Sequence, residues 1–88
     1  MLHLANLASV NRRDIMAEQA DELKKLAAIA TDLGLSSELR LKSIELIGNI
    51  GTHDALLVLL DLAANSGLIK EERDIALTHA REIIKSGR

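Results

Sequence analysis

Apolar residues recur every three or four positions along most of the chain, which is the spacing of one buried face of an α-helix. The first run predicts a helix from Asn11, a residue suited to cap it, to Leu33. Its apolar face comprises Ile15, Met16, Ala20, Leu23, Leu26, Ala27, Ala30 and Leu33. Glycine-containing breaks interrupt the pattern at Gly34, Gly48/Gly51 and Gly67.

Three shorter helices are predicted over residues 37–50, 54–65 and 70–85. Ser36 and Thr52 precede the first two, and their hydroxyls suit them to cap a helix start. Residues 1–10 are predicted either as a short N-terminal helix or as a flexible segment.

The stretch ALLVLLDLAA, residues 55–64, carries one polar side chain, Asp61. At about 100° per residue, Leu57 lies about 40° to one side of Asp61 and Val58 about 60° to the other. Asp61 should face water, so burial between neighbouring helices does not explain why Leu57 and Val58 are apolar. Leu57, Val58 and Asp61 are therefore the candidate interface. Burial is expected instead for Leu56, Leu59, Leu60 and Ala63.

Two interpretations of that surface stay open. In one, the N-terminal segment or the first helix covers it and completes a monomer core. In the other, a protein partner or a second copy of the chain covers it, and the small size of the domain favours this one.

Residues also recur at an offset of 33 positions. This predicts two stacked helical hairpins, neither of which buries its apolar face alone. Helix 70–85 has a broad polar face, is predicted to end the stack, and should bury mainly Ala76, Leu77, Ala80, Ile83 and Ile84. Between residues 29–50 and residues 62–83, the identical pairs are Ala30/Ala63, Gly34/Gly67, Leu35/Leu68, Glu38/Glu71, Arg40/Arg73 and Ile50/Ile83.

The segment LRLKSIELIGNIGTHDALLVLLDLA, residues 39–63, resembles the HEAT repeat family, especially the short HEAT-like repeats of phycobilin lyases. Ser43 and Leu46 stand where that family usually has alanines. The resemblance implies a stack of helical hairpins that serves as a protein-binding scaffold. The matching positions are Arg40, Ile47, Gly48, Ile50, Gly51, Asp54, Ala55, Leu59 and Leu62.

The predicted fold is therefore all-α, a right-handed stack of antiparallel helical hairpins with four to five helices. Residues 1–88 form one domain, with the first hairpin over 11–51 and the second over 52–88.

Composition narrows the classes of function. The chain has no aromatic residue, so it offers no stacking platform for single-stranded nucleic acid. It has no cysteine, which excludes disulfides and thiolate chemistry. A net charge of −2 does not attract nucleic acid or anionic membranes. No stretch approaches the ~20 apolar residues of a membrane span, so a cytoplasmic protein is expected.

A helix-turn-helix regulator of nucleic acid is the alternative function. IATDLGLSSELRLKS has the alanine, glycine and following apolar residue of such motifs. Arg40 occupies a position that should be apolar, and Glu38 and Glu45 on the recognition helix would repel phosphates.

No metal, cofactor or catalytic site is predicted. His3, His53 and His79 are too scattered to form a ligand set, and His53 is most simply a turn residue. The chain has neither a phosphate-binding glycine loop nor a nucleophile elbow. The predicted function is a non-enzymatic protein-interaction or scaffold module that associates with a second copy of itself as a homodimer.

Overall fold

The computed structural model describes the backbone of residues 12–87 and the side chains of residues 18–87. This part of the chain is all-helical, with four helices and no strand, as predicted. The predicted N-terminal segment and the Asn11 cap lie outside the described residues. The helices are α1 (Arg12–Ala30), α2 (Ser37–Ile50), α3 (His53–Ala63) and α4 (Lys70–Lys85).

Side-chain caps define the starts of α2 and α3. The Ser36 Oγ accepts a hydrogen bond from the Leu39 N–H at 3.3 Å, and the Thr52 Oγ1 accepts one from the Ala55 N–H at 3.1 Å. Each cap satisfies an amide that the start of a helix leaves without a backbone partner. Both predicted caps are confirmed. Gly51 ends α2 with a φ of 67°, a left-handed conformation that glycine adopts without strain.

The end of α1 differs from the prediction, because the helix stops at Ala30 and not at Leu33. The Asp32 Oδ1 accepts a hydrogen bond from the Gly34 N–H at 2.9 Å, two residues further on. A short polar side chain that bonds nearby backbone in this way competes with the helix. The spacing of apolar residues, which predicts a helix end at Leu33, carries no information about this competition.

The turn after α3 has the same hydrogen bonds 33 positions later. The Asn65 Oδ1 accepts from the Gly67 N–H at 2.8 Å, and the Leu68 N–H donates to the Asn65 carbonyl at 3.1 Å, as the Leu35 N–H does to that of Asp32. For this reason α3 ends at Ala63, before the predicted Asn65.

Helix α2 lies at the centre of the fold. It contacts α1, α3 and α4, whereas α1 and α4 do not touch within the described residues. The hairpin α1–α2 therefore lies beside the hairpin α3–α4, and α1 also contacts α3. The shared core consists of Leu23, Ala30, Ile44, Ile47, Ala55, Leu59, Leu62, Leu68, Ala76, Ala80 and Ile83.

Helix α4 buries fewer residues than predicted. Ala76, Ala80 and Ile83 are buried, but Leu77 is half-buried and Ile84 is 59% exposed. The prediction is wrong for Ile84 because, among the described residues, α4 contacts only α2 and α3, and these helices cover the side that carries Ala76, Ala80 and Ile83.

The packing of α2 on α4 requires a glycine. A Cβ placed on Gly48 would lie 2.5 Å from the His79 Nδ1 and 3.0 Å from the His79 Cβ. Real Cβ atoms do not approach so closely, so Gly48 allows the two helices their spacing.

We therefore expect Gly48→Ala to destabilise the fold by about 1–3 kcal/mol through overpacking. This loss should appear in urea unfolding even though alanine is the better helix former by about 1 kcal/mol. In a His79→Ala background the ring is absent, and the same substitution should cost less. Equal costs in the two backgrounds would show that this contact does not control the spacing.

Candidate interaction surface

A buried ion pair joins the two hairpins. The Arg40 Nε on α2 donates to the Glu72 Oε2 on α4 at 3.0 Å, and the Arg40 Nη2 lies 2.9 Å from the same oxygen. The Ser37 Oγ donates to that oxygen at 2.7 Å. Glu72 is fully buried, and the neighbouring hairpin gives it two hydrogen bonds and the compensating charge of Arg40.

Both partners of this pair are also held by backbone groups. The Arg40 Nη1 donates to the Leu35 and Asp32 carbonyls in the turn between α1 and α2. The Glu72 Oε1 accepts from the Ile69 N–H at 3.4 Å. Ile69 precedes α4 without a side-chain cap, so Glu72 supplies the cap that Ile69 lacks. The pair thus connects a turn, two helices and a helix start.

The hydrogen bonds of Glu72 determine its charge state. Burial by itself raises the pKa of the Glu72 carboxyl, but the hydrogen bonds from Arg40 and Ser37, the charge of Arg40 and the Ile69 amide lower it more. The net pKa is below the ordinary value of a glutamate, so the carboxylate stays ionised inside the fold.

The predicted interface residues lie on α3 and differ in exposure. Leu57 is 48% exposed and Asp61 is exposed, so both face away from the core. Val58 is half-buried and packs against the core, which accounts for this residue without a partner.

Leu60 belongs to this surface, although burial was predicted for it. It is 39% exposed, and Ala64 beyond it is exposed too. One line of residues at spacings of three and four runs along α3 to the C-cap residue just after it: Leu57, Leu60 and Ala64. We call these three residues the α3 stripe. The prediction failed for Leu60 because α2 and α4 pack on the opposite side of α3, which carries Leu59.

A second arginine repeats the position of Arg40 without its partner. Arg73 lies 33 residues after Arg40, on α4, and is half-buried. Its Nε is buried and has no hydrogen-bond partner within the described part of the chain. A buried donor left unsatisfied costs about 1–3 kcal/mol, so Arg73 is an unusual feature of this helix.

The sequence contained signals for these polar residues. Arg40 stands where a helix-turn-helix motif needs an apolar residue, and Arg73 is its equivalent at the offset of 33, but this pattern does not predict that Arg40 receives a carboxylate. Glu72 stands three residues after Ile69, the position at which a glutamate caps a helix start. Its pairing with Arg40 spans 32 residues and is not visible in local pattern.

A shallow pocket lies between α1 and the start of α3. Its volume is about 230 Å³, below the roughly 300–1,000 Å³ of typical ligand sites. His53 and Asp54 line it, and both are exposed residues at the start of α3. Among the described residues, no group of three or more histidines, cysteines or carboxylates comes close enough to hold a metal ion.

Comparisons with protein-family models, with curated proteins and with solved structures found no significant match to this chain. Within the described residues, no helix combines the length and the apolar character needed to cross a membrane.

Removing one partner of the buried ion pair should destabilise the fold strongly. For Arg40→Met or Glu72→Leu we expect a loss of about 3–5 kcal/mol in urea unfolding, because each leaves the other charge buried and unpaired. The double variant should lose less than the sum of the single variants. Simple additivity would contradict a direct coupling between the two side chains.

Acid should weaken the fold through Glu72. An unfolded glutamate has a pKa of about 4.3, and the folded pKa of Glu72 is lower. Between these values the unfolded chain binds more protons, so stability is present at neutral pH and is lost as pH falls through the folded pKa. Urea midpoints measured from pH 7 to pH 3 should fall less in Glu72→Gln than in the wild type. The exposed neighbour offers the control: Glu71→Gln should keep the wild-type dependence.

Proposed function

We propose that this chain is a non-enzymatic protein-interaction module that self-associates through the α3 stripe. The observation that carries the proposal is the exposure of Leu57 and Leu60 on one line of a helix. Single exposed leucines are common on protein surfaces, but adjacent ones at helical spacing offer a continuous contact line.

The spacing of the stripe suits helix-to-helix contact. Residues three and four apart form the ridges that pack into the grooves of a second helix. Ala64 at one end is small and lets a neighbouring backbone approach closely. Asp61 lies beside Leu57, where its carboxylate stays in water at the rim of such a contact.

We further propose that the two hairpins are repeat units stacked in the HEAT-like manner within a single domain. The matching hydrogen bonds of the Asp32 and Asn65 turns support this proposal. So does the order of helix contacts, in which α1 meets α3 and α2 meets α4. A scaffold or partner-binding role in the cytoplasm fits such a stack.

The nucleic-acid alternative gains no support from the residues of α2. Arg40, the cation nearest to the start of the proposed recognition helix, is buried against Glu72 and does not reach a phosphate. Glu38 and Glu45 on the exposed side would repel the backbone of nucleic acid.

Sedimentation equilibrium tests the self-association. We expect the wild-type chain to sediment at twice its 9.6 kDa mass, and Leu57→Glu/Leu60→Glu to sediment as a monomer with its helical circular dichroism retained. Each added carboxylate would have to be desolvated in the interface, which is costly.

Leu33→Glu is the matched control, because Leu33 is a well-exposed leucine outside α3. It should remain dimeric. A wild-type chain that stays monomeric at about 1 mM, a concentration at which only about 4 kcal/mol is needed for association, would overturn the proposal.

A further inference from the structure

We propose that the flank of α4 opposite α2 binds an acidic amphipathic helix of a partner protein, with Arg73 receiving a carboxylate of that helix. This site goes beyond the proposed self-association, because it is a different surface and it specifies the chemistry of the partner. The contact between α2 and α4 within the chain is the template for this second site.

In the template, α2 receives two residues of α4 that are seven positions apart, Glu72 and His79. Arg40 binds Glu72 in the first turn of α4, and Gly48 makes room for His79 two turns later. Glu72 and His79 lie about 20° apart around α4, so one flank of the helix supplies both contacts.

A shift of 33 positions carries the receiving residues of α2 onto α4. Arg40 corresponds to Arg73, and Gly48 corresponds to Arg81. Arg73, Leu77, Ile84 and Arg81 fall within about 80° of one another around α4, on the side away from α2. We call these four residues the α4 flank.

The α4 flank combines apolar surface with unpaired cations. Leu77 is half-buried and Ile84 is 59% exposed, which leaves apolar area for a helix to cover. Among the residues that the structure describes, neither Arg73 nor Arg81 forms an ion pair. The chain itself covers the Arg73 Nε, so a carboxylate from a partner would meet the accessible remainder of this half-buried guanidinium. The chemistry of the flank therefore calls for carboxylates.

A second copy of this chain stacked in the same way would not provide them. The position that corresponds to Glu72 in the first hairpin is Leu39, and the position that corresponds to His79 is Leu46. Stacking one copy on the next would set Leu39 against the Arg73 guanidinium and bury that charge without a carboxylate. The complementary helix instead carries glutamates at positions i and i+7 beside an apolar stripe.

The probe is a synthetic peptide of residues 69–85 with blocked ends, a fluorescent label and His79→Glu. Its glutamate at position 72 should reach Arg73 of the protein, and its glutamate at position 79 should reach Arg81. The matched control peptide has glutamine at both positions. By fluorescence anisotropy against the wild-type chain, we expect the acidic peptide to bind at least about tenfold more tightly than the control, as charge pairs at interfaces do.

Variants of the protein locate the binding site. Arg73→Met should reduce the affinity for the acidic peptide about tenfold and leave that for the glutamine peptide nearly unchanged. Lys24→Met on α1 removes the same charge from an exposed position and should change either affinity by less than about twofold. A peptide that merely displaced the chain's own α4 from α2 would not respond to Arg73→Met.

Three results would overturn the proposal: equal binding of both peptides, no saturable binding up to about 1 mM, or an equal effect of Lys24→Met. If Arg73→Met fails to fold, Arg81→Met at an exposed position of the same flank takes its place, and it should likewise weaken binding of the acidic peptide and not of the glutamine peptide. Leu57→Glu/Leu60→Glu should bind the acidic peptide normally. A failure of self-association and a failure of this site are therefore separate outcomes.

Discussion

The fold depends on the ion pair between Arg40 and Glu72. Each hairpin alone has two helices and little enclosed core, so the contact between α2 and α4 is needed to join the two hairpins. The pair lies inside that contact, and its hydrogen bonds extend to the first turn and to the start of α4. A buried charge without its partner is severely penalised, so arrangements of the hairpins that separate the two are disfavoured.

The same interaction bears on Arg73, which forms no ion pair among the residues that the structure describes. A buried ion pair is weak evidence for stability, since well-packed apolar residues often serve as well. Its value lies in specifying which surfaces meet, a role that we infer for Arg40 and Glu72. Arg73 places a second arginine on the flank of α4 away from α2, and among the described residues it forms no ion pair. The α3 stripe is different in kind, because its contact would be apolar and without such selectivity.

Local patterns predicted the helices well. The 37–50 and 70–85 bounds are confirmed, as are the Ser36 and Thr52 caps, because these depend on neighbouring residues only. The errors at the ends of α1 and α3 arose where an Asx side chain competed with the helix. Of the interface residues, Leu57 and Asp61 are exposed as expected, while Val58 packs on the core and Leu60 does not.

By itself, the sequence determined that the chain is helical, where most helices begin and end, and which turns match at an offset of 33, since helix periodicity, caps and glycines act over a few residues. Only the tertiary structure decided which flank of each helix is covered. It alone brought Glu72 to Arg40 across 32 residues, left the Arg73 Nε without a partner within the described part of the chain, and turned Leu60 outward. These outcomes depend on how helices pack around one another, and a side chain's position on its own helix does not contain that information.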